Sequence, residues 1–300
     1  MNEVSLQYLG GNVIGYLSKI LSDIAMIIKF KKKYKNYFYV LRKYRKREFP
    51  ITATLLDGSE VILHNRMSVL FEIRDLANFF IINDKELRIN KEEFRTIKFE
   101  NWEDNGDFIG VFVEEEYKTL SFKNKIVIDV GANIGDSSLY FALKGAKHVI
   151  AIEPFFENYN ALKRNIEIND LEAKITPIYS GCGSSTRNVK TTFVDTKGIG
   201  LDIKEFEGGK NEIKIIGLDE LVSKYPHEKI VLKLDCEGCE YDTIINSNEE
   251  ILKKIDEIIL EYHSGYKKLK NKLTSAKFSV KIFDVKRTTG LGSGMLLATK

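Results

Sequence analysis

The 300-residue sequence is poor in proline and cysteine, with four and three, and it contains no uninterrupted apolar run of bilayer length. Three cysteines cannot build the disulfide framework of a small secreted scaffold, so a reducing compartment is the simpler expectation. A membrane-spanning helix needs about 20 apolar residues in succession, and Lys19 and Asp23 break the first apolar stretch. The same break, with Glu3 ahead of it, argues against a secretory leader, which makes the cytoplasm the expected address. A net charge of +3 is too small to name a partner, and 43% hydrophobic with 30% charged residues is ordinary globular composition.

What is present is concentrated in residues 125–158, KIVIDVGANIGDSSLYFALKGAKHVIAIEPFFEN. An apolar, β-branched strand at 126–130 runs into a turn bracketed by Gly131 and Gly135. A short helix, a second strand at 148–152 and the acid Glu153 follow, about 20 residues beyond the turn, where a ribose diol binds in doubly wound folds. A pyrophosphate wants the fuller G-x-G-x-x-G on a helix N-terminus. Here the third glycine is missing and Asp136 brings a negative charge to that place. A phosphate-free, cationic ligand fits better, and S-adenosylmethionine has the ribose, the adenine and a sulfonium. The bland alternative is an α/β core whose glycines only make a turn.

Ahead of this lies an apolar stripe from Val13 to Ile28 within a helical region at 12–47, read as one long helix or two. From Ile24 to Arg47 there is no acid, while residues 29–47 carry ten lysines and arginines. The stripe suits packing on its own domain or on a second copy as a homodimer. The charges suit an anionic membrane surface, which would make the protein peripheral at the membrane, or an acidic glycan, and suit nucleic acid less well. Pro50 ends that region. Residues 51–65 read as a hairpin around Asp57-Gly58, 67–80 as a helix, and 97–122 as further β structure. The organisation expected is therefore a basic helical arm at 1–48, a small α+β accessory region at 49–120 and a catalytic domain at 121–300.

A second constellation is IVLKLDCEGCEYD at 230–242, a buried strand that turns acidic at its end. Burying charge is costly unless it is paired or used. Alternation puts Lys233 and Asp235 on one side of the strand as a candidate pair, and Asp235 and Glu237 project at its end. The next strand, 255–262, ends on Glu261 and His263; a parallel neighbour brings His263 toward the 235–240 loop, with a pKa suited to taking a hydroxyl proton. The bland reading is a salt-bridged strand end and a hydrogen-bonded structural histidine. Cys236-x-x-Cys239 reads as packing residues, with Cys182 on a strand expected at the far side of the sheet, and no metal set is assigned. The Ser180–Gly183 loop is either a wall against adenine or a plain turn.

Taken in order, VIDVGANIGDSSLYFA, VIAIEP, NYNALKRNIEIN, LDELV, LKLDCEGCEYDTI and IILEYH resemble the FkbM family of S-adenosylmethionine-dependent methyltransferases over residues 121–300. The resemblance implies an α/β fold with a Rossmann-like class I sheet of seven strands, the last antiparallel, preceded by the helical arm and the small α+β region. It implies S-adenosylmethionine as cofactor, with Asp129, Gly131 and Asn133 at its methionine end and Glu153 at its ribose; Gly135 and Asp235 complete the cofactor set. Glu237-Gly238-Cys239-Glu240 matches the family's E-G-x-E element. The activity implied is O-methylation of a hydroxyl on a sugar or secondary metabolite, with His263, Asp235 and Glu237 as catalytic candidates. Nucleobase methylation is disfavoured, because no Asn-Pro-Pro-Tyr or Asp-Pro-Pro-Tyr stretch occurs. Two other readings stand beside it: an NAD-dependent oxidoreductase, which the turn disfavours, and a catalytically silent module that binds cofactor, glycan or membrane.

Overall fold

The computed structural model describes residues 21, 23–82, 86–90, 96–102, 107–191, 211–286 and 292–300. They fall into two units, Met1–Ile97 and Lys98–Lys300. In the first, residues 23–33 (α1) and Tyr37–Lys46 (α2) are separate helices. The chain breaks between them because Tyr34 bridges to Leu55 and the Lys35 amide donates to the Thr54 carbonyl at 2.7 Å. Phe30, Tyr34, Val40 and Leu41 are buried against Ile51, Ala53 and Leu63 of the hairpin β1 (Ile51–Thr54) and β2 (Glu60–Leu63), together with Val69 of α3 (Arg66–Ile73). The helices therefore share one core with the hairpin, and no contact boundary falls at residue 48. Asn65 and Ser68 form a reciprocal capping box that starts α3. The helix expected to reach residue 80 ends at Ile73, with Asp75 in the left-handed region, and β3 (Phe80–Ile82) pairs with β4 (Leu87–Ile89). Strand β5 (Ile97–Phe99) lies at the division.

Residues 98–120 belong to the second unit. Asn169 exchanges hydrogen bonds with the Lys98 backbone at 2.9 and 2.7 Å, and Asn165 receives the Glu100 amide at 2.8 Å. The sequence FIGVFV, expected as a strand, is mostly π-helix (Ile109–Glu114), whose Phe112 packs edge-on to Tyr140. An all-apolar run of six residues does not distinguish strand from buried helix by periodicity.

The large sheet is built from β6 (Ile126–Val130), β7 (His148–Glu153), β8 (Ile175–Tyr179), β12 (Ile230–Leu234), β13 (Glu257–Tyr262), β14 (Ser279–Lys286) and β15 (Ser293–Thr299). Its seven strands run in the order β14-β15-β13-β12-β6-β7-β8. Neighbours from β8 to β13 are parallel, and β15 is antiparallel to both β13 and β14. This is the expected Rossmann-like sheet with its last strand reversed. The central strands are buried on both faces, which is why they read as continuous apolar runs. Helices α4 (Asp136–Leu143) and α5 (Phe156–Glu167) follow β6 and β7. A second sheet, in the order β10-β11-β9, is made by β9 (Gly181–Gly183), β10 (Arg187–Thr191) and β11 (Asn211–Gly217). Strand order reverses between β6 and β12, so the ligand crevice of an open α/β sheet lies at their carboxyl ends. Among the described residues no helix is long and apolar enough to cross a membrane.

Candidate active site

At that reversal the register places Lys233 directly opposite Asp129. The lysine Nζ is 3.0 Å from Asp129 Oδ1 and donates to the Gly131 carbonyl at 3.0 Å. The other oxygen of Asp129 accepts the hydroxyls of Ser137 and Ser138 at 2.7 and 2.6 Å, which ties the start of α4 to β6. Burial acts against the Lys233 charge, but Asp129, Asp235 and Asp136 outweigh it and raise the pKa. The expected Lys233–Asp235 pair is thus replaced by a cross-strand one, because the neighbouring strand offers a carboxylate at the same level. Asp129 has 0% exposure and lies beneath the turn, not in a cavity wall. It fixes the turn that a ligand would meet.

Gly131 holds φ +76°, and a Cβ there would lie 1.8 Å from the Asp235 carbonyl oxygen. The missing side chain therefore lets the β6 turn close onto the end of β12, a requirement of the fold as much as of any ligand. Gly135 sits at φ +100° with Leu162 behind it and does not line the cavity.

The cavity itself, of about 370 Å³, is walled by Gly131, Asn133, Glu153, Asp235, Glu237 and Glu261 among others. That volume falls in the range of small-molecule sites, about 300–1,000 Å³. Glu153, at the end of β7, accepts the amides of Asn133 and Phe155 at 2.9 and 3.0 Å. Burial pushes its carboxyl up to about 7, against the pull of those two donors. Asn133 has a buried Oδ1 with no hydrogen-bond partner.

Strand β9 and its sheet supply a further part of the wall through Cys182, Val189 and Ile215. Neither a plain turn at Ser180–Gly183 nor a far-side Cys182 is what forms. Gly181 and Cys182 pair in parallel with β11, and all three cysteines line one cavity. Burial pushes the Cys182 thiol up to about 12. Cys236 and Cys239, expected as packing residues, are joined as a disulfide around Glu237 and Gly238. Asp107, from the segment read as β structure, also reaches the cavity wall, and no sequence signal marks it.

At the ends of β12 and β13 the convergence expected for His263 is present. Its Nδ1 is 3.0 Å from Glu240 Oε1 and its Nε2 is 3.3 Å from Glu237 Oε2. Burial lowers the affinity of the ring for its proton, but Glu240, then Glu237 and Asp235, outweigh it and raise the pKa to about 9. At neutral pH the ring is charged, so in this arrangement it is an ion-pair partner before it is a base. Glu240, on the helix Cys239–Ile245, is fully buried and also accepts the Gly238 amide at 2.8 Å. Asp235, Glu237 and His263 bring one potential ligand atom each within 4.8 Å of one another.

The chain is 27% identical over 195 residues to the AMB antimetabolite synthetase AmbE of Pseudomonas aeruginosa, covering 51% of this chain and 9% of that one. It is 24% identical over 185 residues to methyltransferase sdnD of Sordaria araneosa, covering 50% and 71% respectively. A solved methyltransferase FkbM from Methylobacillus flagellatus KT is 19% identical with a TM-score of 0.44, covering 65% of this chain and 48% of that one. The chain thus spans only a small part of AmbE and about half of the solved FkbM protein. Residues 129–279, half of the chain, match the profile of the methyltransferase FkbM domain, and the chain belongs to that family of methyltransferases.

Proposed function

We propose that the protein is an S-adenosylmethionine-dependent O-methyltransferase acting on a hydroxyl of a sugar or secondary-metabolite acceptor. The observation that carries this reading is the meeting, in one cavity, of a buried carboxylate at the end of β7 with Asp235 and Glu237 beyond the end of β12, where Glu237 pairs with His263. The residues present fit the cofactor. Glu153 is a buried carboxylate held by the Asn133 and Phe155 amides and the Asn158 side chain, and it lines the cavity where a ribose diol would meet it. The orphaned Oδ1 of Asn133 offers an acceptor to the ammonium of the methionine end. Ile152, Val189 and Ile215 give apolar surface for a base. When bound, S-adenosylmethionine supplies a methyl group activated on a sulfonium.

The chain's own part is positioning. Lys233 and Asp129 hold the turn, Glu153 and Asn133 orient the donor, and the walls exclude water from the reacting atoms. The proton leaving the acceptor hydroxyl passes to the carboxylates of Asp235 and Glu237, beside the charged His263. One relative is named an antimetabolite synthetase, which supports a small-molecule acceptor.

The test is transfer of isotope-labelled methyl from S-adenosylmethionine into cell extract fractionated as glycan, lipid, RNA and small molecules. The expected product carries a base-stable methyl ether in the glycan or small-molecule fraction. Label confined to RNA, or no label in any fraction, would remove the O-methylation reading.

A further inference from the structure

Resting on that methyl-transfer reading, we propose that Asp235, Glu237 and His263 form a binding site for a divalent metal cation of the Mn²⁺ class, which takes the acceptor hydroxyl as a further ligand. Two carboxylates and one imidazole from two adjacent strand ends meet here, with one donor atom of each inside a 4.8 Å span. An octahedral ion with metal–donor distances near 2.1 Å holds neighbouring donors about 3 Å apart and opposite ones about 4 Å apart. The Glu237 Oε2 to His263 Nε2 separation of 3.3 Å is close to such a neighbouring pair. A mixed oxygen and nitrogen donor set suits Mn²⁺ and its first-row neighbours better than a soft, thiolate-seeking ion. The disulfide removes the thiolates of Cys236 and Cys239 from competition. Asp235 and Glu237 also line the cavity, so the ion lies at its wall.

A second observation comes from outside the donor set. Glu240 has 0% exposure, and its Oε1 lies 3.0 Å from His263 Nδ1 and 3.3 Å from the His263 amide. It keeps the proton on Nδ1 and leaves Nε2 turned toward Glu237. A carboxylate on the far nitrogen fixes the tautomer and raises the basicity of the ligating one, an arrangement that accompanies metal-bound histidines. At the ion, the cation draws electron density from a coordinated hydroxyl oxygen. The O–H bond then breaks with its electron pair left on oxygen, and the proton leaves to the surrounding carboxylates and to water. The competing occupant of the same space is a proton on Nε2, which makes His263 a bridge between Glu237 and Glu240 and leaves no place for a metal.

Electron paramagnetic resonance of the full chain, titrated with MnCl₂ alone after chelator treatment and dialysis, decides between them. The expected result is one Mn²⁺ per chain at sub-millimolar concentration. Asp235→Asn and His263→Ala should each weaken binding at least about 100-fold, and Glu240→Gln about tenfold, the loss typical of an outer partner. The control Glu220→Gln, at a half-buried position that does not line the cavity, should bind as the parent does. Where a variant fails by circular dichroism to fold, the parent stoichiometry and His263→Gln carry the decision. No bound Mn²⁺ in the parent, or binding unchanged in both ligand variants, overturns the proposal. S-adenosylhomocysteine binding is measured separately in chelator: retained there with no Mn²⁺ bound, the metal site alone fails; absent with Mn²⁺ bound, the methyl-transfer reading fails.

Discussion

Replacing Glu153 by glutamine should change the pH dependence of stability in a way that only a buried, proton-hungry carboxylate explains. The group titrates at 4.5 in a model peptide and at about 7 in the folded chain. Between those values the folded state holds a proton that the unfolded state has released, so stability falls as pH rises through the window and the loss is complete above the folded value. At 1.36 kcal/mol per pH unit the total is about 3 kcal/mol. Glutamine removes that dependence. Its carbonyl keeps one of the two amide donors, Asn133 or Phe155; the other loses its acceptor at a cost of about 1–3 kcal/mol that does not vary with pH. The diagnostic is therefore the slope. Urea unfolding at pH 4.5 and pH 8 should show the parent losing about 3 kcal/mol more than the variant across that interval. Parallel profiles would refute the buried-carboxylate account of Glu153. By the same linkage, binding of a diol donor should tighten as pH rises toward 8, and the variant should lose that trend.

Three further outcomes follow from the geometry. Lys233→Met leaves Asp129 buried without its cation, so urea denaturation should show a loss of about 3–5 kcal/mol; adding Asp129→Leu should recover a large part of it, and an unchanged midpoint in the single variant would contradict the pair's role. Cys182, buried and with its thiol pushed up to about 12, should resist iodoacetamide at pH 8 in the native chain and react only on unfolding, as mass spectrometry reads; rapid native labelling would contradict the burial. The exposed row Leu21, Ile24 and Ile28, beside exposed Lys29, Lys31 and Lys32, is the surface that an anionic membrane would meet. Ile24→Glu with Ile28→Glu should abolish co-sedimentation with phosphatidylserine vesicles without unfolding the chain, because Phe30 and Tyr34 carry the packing on the other face; equal sedimentation would remove the membrane contact.

The part of the fold legible in the sequence is the part made by neighbours in the chain. The strand, glycine turn, helix and second strand at 126–153 are contiguous, so their pattern is local. His263 could be placed beside the 235–240 loop because parallel neighbouring strands end at the same level. The remainder depends on register and on which surface covers which. The Lys233–Asp129 pair is a cross-strand alignment that alternation within one strand does not reveal. The small sheet that carries Cys182, Val189 and Ile215 to the cavity joins residues some 30 positions apart. The two N-terminal helices show apolar residues on more than one face, so periodicity could not say that Phe30, Tyr34 and Leu41 belong with the hairpin. The π-helix hides in an apolar run that reads equally as strand.

The central claim is that the cavity at the carboxyl ends of β6, β7 and β12 takes a sulfonium nucleoside and not a dinucleotide. Isothermal titration of the full chain with S-adenosylhomocysteine, in competition with S-adenosylmethionine and with NAD, tests it directly. The account predicts one S-adenosylhomocysteine per chain, displaced by S-adenosylmethionine and untouched by NAD. Saturable NAD binding with no S-adenosylhomocysteine bound would contradict it.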